Sequence, residues 1–187
     1  LSVAITVALF ISIFSFDIVN LLTTPEYIGS ILAMPFLLFS QIIYFSVDLT
    51  GNGMTLKEQS KPYVWIMLAA AGTNFGLNFY FVPQFGFVGA AITTIISNIV
   101  YFLIAYFWSQ KVFFIKRSFI KPAFYFLSGL AVAVFFPFYE LKMGVQISYL
   151  IKISTFILAL TLPFIIKLVD YSSFTNLLNM INRKKKG

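Results

Sequence analysis

From Asn74 to Thr94 the chain reads NFGLNFYFVPQFGFVGAAITT. Asn74 and Asn78 fall on one face of an otherwise apolar helix, because four residues make about one turn. Pro83 and Gly86 then write a reversal: proline ends the helix, and glycine permits the tight turn. Gly89, Ala90 and Ala91 open a second apolar helix with side chains small enough for its neighbour to approach closely. The stretch predicts two membrane-spanning helices pressed together across a very short turn, and the fold class follows: an all-α integral membrane bundle.

Composition agrees. Of 187 residues, 60% are hydrophobic and 10% charged, whereas a soluble domain carries about 25% charged residues. About 20 consecutive apolar residues cross the hydrocarbon core of a bilayer. Runs of that kind predict spanning helices at Leu1–Leu22, Tyr27–Val47, Pro62–Val82, Phe87–Trp108, Pro122–Phe138 and Ile147–Leu168. The short alternating pattern of barrel strands is missing, which rejects a membrane β-barrel. The chain has no cysteine and no histidine, so disulfides, thiol chemistry and the commonest zinc ligands are excluded. The first helix begins at Leu1 with no basic flank, unlike a signal peptide; the simplest expectation is that an upstream part precedes it.

The formal charge is +7, yet its distribution points away from nucleic acid. Lys57 and Lys61 fall in one loop, Lys111, Lys116, Arg117 and Lys121 in another. Lys167, Arg183 and Lys184–Lys186 close the chain. These positions share one side of the expected topology, and Lys142 and Lys152 lie on or near the other. Basic residues collect on the cytoplasmic side, so both ends of the six-helix segment and the C-terminus are expected inside. Beyond Asp170, the spacing of Phe174, Leu177, Leu178 and Ile181 marks one helical face, with Ser172 or Ser173 as a cap. A basic amphipathic tail over 170–187, lying on anionic lipid, is the expectation there.

Polar residues inside the spans are the candidates for function. Asn74 and Asn78 should face another helix or a wet cavity, since an amide does not face lipid willingly. Thr93, Thr94, Ser97 and Asn98 continue a polar seam along the next helix. Gln41 lies deep in a helix that Pro35 is expected to kink. Lys152 sits about one and a half turns into the last helix; at that depth it can snorkel to the headgroups, or instead face a cavity that accepts a phosphate-linked anion. Asp17 and Asp48 are shallow enough to reach interfacial water. Pro137 and Pro163 bend or end the last two helices. The acidic residues (Asp17, Glu26, Asp48, Glu58, Glu140 and Asp170) are scattered through the sequence, and no metal-binding or phosphate-loop motif occurs. No catalytic residue, metal or cofactor is assigned, and an enzyme is not expected. The 24 Phe and 10 Tyr suit lipid-facing and interfacial positions.

The pattern Asn74-x3-Asn78-x4-Pro83-x2-Gly86-x2-Gly89-Ala90-Ala91 resembles the C-terminal part of polysaccharide (O-antigen-type) flippases. These belong to the multidrug/oligosaccharidyl-lipid/polysaccharide exporter superfamily. Leu21-Leu22-x2-Pro25-Glu26-Tyr27 and the polar Gly51–Lys61 loop support the likeness, which covers most of Leu1–Lys111. The resemblance implies two six-helix lobes around a central cavity, moving lipid-linked oligosaccharide outward by alternating access for cell-envelope polysaccharide biosynthesis. It makes residues 1–169 one lobe, the second, in a bacterial plasma membrane. Asn74, Asn78, Gln41 and Lys152 then become candidates for the substrate cavity, and Pro83, Gly86, Gly89, Ala90 and Ala91 serve turn and packing. Implied partners are the lipid-linked substrate, membrane lipids, an N-terminal six-helix lobe, a polysaccharide polymerase and glycosyltransferases; nucleic acid is not among them. Rival readings are a multidrug or other lipid-precursor exporter of the same superfamily, a non-transporting membrane assembly module, and, less suited to these residues, a membrane acyltransferase.

Overall fold

The computed structural model describes residues 1–50, 61–112, 120–143 and 149–165. The expected basic tail over 170–187, and Lys57, Lys116, Arg117 and Lys167 among the basic residues that set the topology, lie outside the described residues. Within the described residues every element is helical. In chain order these are α1 (Ser2–Ile13), α2 (Ser15–Leu22), a 3-10 helix (Pro25–Leu32), α3 (Met34–Thr50), α4 (Lys61–Val112), α5 (Ile120–Met143) and α6 (Tyr149–Ile165).

Two helices, Pro62–Lys111 and Ile120–Lys142, are long and apolar enough to cross a membrane, and the count rises to four if each bent pair makes one span. The surface agrees with that environment: Val3 is 78% exposed, Leu21 84%, Ile120 80% and Leu150 79%, while Lys152 and Glu140 are buried. Large apolar side chains on the outside, with two charged side chains buried within, are not the order of a water-soluble protein. The chain is a membrane-embedded helical protein.

α4 is a hairpin. Its 52 residues are interrupted at Gly86, with φ 57° and ψ −134°, values close to the first central position of a type II′ turn. In a continuous helix Asn74 and Ser97 would lie roughly 35 Å apart at 1.5 Å per residue; here Asn74 Nδ2 donates to Ser97 Oγ over 3.3 Å. The two arms therefore run antiparallel. A methyl group on Gly89 would collide with the backbone of Phe81 across the turn, so the absent side chain sets how closely the arms meet. Helix continues through Pro83 up to the reversal, and Pro83 does not end it as expected. Proline forfeits one helical bond, but its fixed negative φ cannot supply the turn; Gly86 can.

Two further boundaries differ from expectation. The run Leu1–Leu22 is broken into α1 and α2, bent by 63° around Phe14. α5 extends through Pro137 to Met143, longer than the expected Pro122–Phe138. At Pro35 the expected kink takes the form of a 48° break between the 3-10 helix and α3. Pro35 stands in the first turn of α3, where its missing N–H costs least.

The core lies between α1, α3, α5 and the second arm of α4. Ile5, Ala8 and Leu9 of α1 meet Phe39, Ile42 and Ile43 of α3, with Ile95, Tyr125 and Ala133 closing the cluster. Gly129 allows the contact: a methyl there would press on Ile5 and Phe39. A second cluster joins Val47 and Ile66 to Tyr101 and Ala105, fixing the far end of the α4 hairpin against α3.

Candidate functional site

Two polar networks lie within the apolar bundle; Asn74 and Asn78 fall in one and Lys152 in the other.

The first threads the α4 hairpin. Thr93 Oγ1 donates to Asn78 Oδ1 over 2.5 Å, Asn78 Nδ2 donates to Asn74 Oδ1 over 3.0 Å, and Asn74 Nδ2 donates to Ser97 Oγ over 3.3 Å. The one-turn spacing of the asparagines lets one amide feed the next. Thr93 and Ser97 answer at the same spacing on the opposite arm. Thr94 bonds back to the Ala90 carbonyl over 2.8 Å, away from this ladder. Asn98 leaves the hairpin and donates to the Ser40 carbonyl of α3 over 3.0 Å. Both asparagines are half-buried, while Thr93 is fully buried. The arrangement orders the arms, and both asparagine residues remain partly exposed.

The second network surrounds Lys152. Its side chain is 1% exposed, so it does not snorkel as its depth suggests. Nζ lies 2.5 Å from Asp17 Oδ2 and 2.8 Å from Glu140 Oε1. The other Asp17 oxygen accepts the Tyr149 hydroxyl over 2.9 Å. The ammonium also lies 5.8 Å from the Phe14 ring centroid and 5.6 Å from that of Tyr149, within cation–π range. The break at Phe14 brings Asp17 of α2 to this point, the C-terminal part of α5 supplies Glu140, and the first turn of α6 supplies Lys152 and Tyr149. Two carboxylates surround one ammonium in a poorly solvated place, where such attractions are strong and stranded charges costly.

A third, smaller arrangement ties helices together. The Tyr125 hydroxyl donates to the Ala159 carbonyl over 3.1 Å and lies 3.1 Å from Thr6 Oγ1. Burial raises the demand for such partners.

Thus Asn74 and Asn78 come together with Thr93 and Ser97, whereas Lys152 belongs to a separate cluster. Gln41 is exposed on α3, outside both networks. Asp17, Glu140, Tyr149 and Tyr125 carry weight that sequence reasoning missed. One signal could have pointed to Asp17: it and Lys152 carry opposite charges near the same expected membrane face. No group of three potential metal ligands occurs among the described residues.

These features define a class: a membrane-embedded, all-helical protein with a polar hairpin and a caged lysine. No family model, curated protein or solved structure matches the chain.

Proposed function

We propose that this chain is the C-terminal lobe of a flippase that exports lipid-linked oligosaccharide for cell-surface polysaccharide by alternating access. The observation that carries the reading is the coincidence of the family-like pattern with mechanical roles. Gly86 makes the reversal, Gly89 permits the close approach, and Asn74 and Asn78 stitch the arms. On this reading the lobe has six spans: the bent pair α1–α2, the bent pair of the 3-10 helix and α3, the two arms of α4, α5 and α6. Both ends of the lobe and its basic tail face the cytoplasm of a bacterial cell, in agreement with the placement of the basic residues.

The work asked of such a lobe is recognition and movement, without covalent chemistry. The half-buried amides of Asn74 and Asn78 offer hydrogen bonds to a sugar, and Gln41 offers another from the exposed face of α3. Lys152 can meet an anionic phosphate once it leaves its two carboxylates. The cavity forms between this lobe and an N-terminal six-helix lobe, so transport requires both.

Deleting the reading frame that encodes the chain in its native host tests the proposal. Loss of surface polysaccharide with accumulation of undecaprenyl-linked repeat units is the expected result. Intact polysaccharide with increased drug sensitivity would move the assignment to a multidrug exporter of the same superfamily.

A further inference from the structure

We propose that the first apolar run is a two-state hinge, held bent at Phe14 by the caged ammonium of Lys152. Residues 1–22 contain neither proline nor glycine, two of the usual causes of a sharp kink. The run is also about 33 Å long when fully helical, a good match to a hydrocarbon core of about 30 Å. Its own sequence therefore favours one straight helix.

The bent form leaves local interactions unmade. Phe14 adopts φ −97° and ψ 13°, in the sparsely populated bridge region. Ser12 and Ser15 flank it with hydroxyls that are fully buried and have no hydrogen-bond partner among the described residues. A serine within a continuous helix can bond its hydroxyl to the carbonyl one turn back; for Ser15 that carbonyl, of Ile11, lies across the break, so straightening would offer it a partner.

What opposes straightening is tertiary. Asp17, three residues beyond the break, is held by Lys152 from α6 and by the Tyr149 hydroxyl. Lys152 also lies over the ring of Phe14, the hinge residue itself. Glu140 keeps the ammonium in place from α5. Local preference thus favours the straight form and the cage favours the bent one, which is the arrangement of a bistable element. Releasing Asp17 lets α2 swing away from α5 and α6 at that end of the bundle, while Lys152 and Glu140 remain paired. The hinge rests on this geometry alone and holds whatever the cargo.

The absence of cysteine makes the test direct. Spin labels placed through Val3→Cys and Leu22→Cys, both at exposed positions, read the end-to-end distance of the run by electron paramagnetic resonance in lipid nanodiscs. With a rise of 1.5 Å per residue, the backbone separation is about 24 Å for the 63° bend and about 28 Å for a straight helix. The parent chain is expected near the shorter value, and Asp17→Asn is expected to lengthen it by about 4 Å. A second variant, Asp17→Asn with Glu140→Gln and Lys152→Met, strands no charge and is expected to lengthen it equally. A folded Asp17→Asn or triple variant that keeps the parent distance overturns the hinge, as does a parent that is already straight. Failure of both variants to fold also overturns it, because the cage would then be a requirement of folding and not a latch.

Discussion

The Tyr125 hydroxyl donates to the carbonyl of Ala159, the one carbonyl in α6 whose helical partner would be the missing N–H of Pro163. A side chain from α5 replaces a backbone donor that proline removed. Tyr125→Phe is therefore expected to destabilise the fold by about 1–2 kcal/mol, the cost of leaving a half-buried acceptor in an apolar bundle unpaired. Pro163→Ala restores a backbone donor, so the tyrosine should matter less in that background. A double-mutant cycle of unfolding free energies in detergent measures this coupling; strictly additive losses would show that the two residues do not share the carbonyl.

Three glycines of α4 should respond differently to alanine. Gly86→Ala forces a side chain into positive φ, at about 1–3 kcal/mol. Gly89→Ala meets the Phe81 backbone and should cost at least as much, because backbone cannot rotate aside as a side chain can. Gly76 has open space around the position of a methyl, so Gly76→Ala should be neutral or stabilising by up to about 1 kcal/mol. Thermal unfolding of the three variants gives the ranking, and an unstable Gly76→Ala would contradict it.

Removing Lys152 alone takes from Asp17 and Glu140 the ammonium that they share at 2.5 and 2.8 Å. Lys152→Met should cost about 3–5 kcal/mol, the range for breaking a buried pair by losing one partner. Adding Asp17→Asn and Glu140→Gln to it should recover much of that loss, since no carboxylate is then left uncompensated. Equal instability of the single and triple variants would argue against a strongly desolvated cluster.

The asparagine ladder predicts non-additivity. Asn78 touches both Asn74 and Thr93, so Asn78→Ala breaks two links and leaves Asn74→Ala less to remove. Interhelical polar bonds in membranes are worth about 0.6–2 kcal/mol each. The double variant should therefore lose less stability than its two singles combined. If these amides also contact sugar, variants that remain folded should slow export of lipid-linked oligosaccharide in cells; normal export would confine them to packing.

The hairpin was legible because its determinants are local. Spacing put Asn74 and Asn78 on one face, and Gly86 and Gly89 marked a turn and a close approach within a few residues of each other. Asp17 was not legible as a partner of Lys152 because 135 positions of chain separate them, and it read by itself as a carboxylate near interfacial water; Glu140 read only as one of the scattered acids. The break at Phe14 had no local mark either. Pro163 announced a lost hydrogen bond, but nothing near it in the chain named Tyr125 as the replacement.

Sequence by itself determined that the chain is helical, apolar and folded back on itself at Gly86, because helix period, hydropathy and positive φ are properties of short segments. Tertiary structure decided where the charges go. Only the packing of α2, α5 and α6 turned Lys152 from a residue expected to reach the surface into a buried ammonium held by Asp17 and Glu140. In an apolar interior a charge seeks its opposite across any sequence distance, and the same attraction holds the first helix bent.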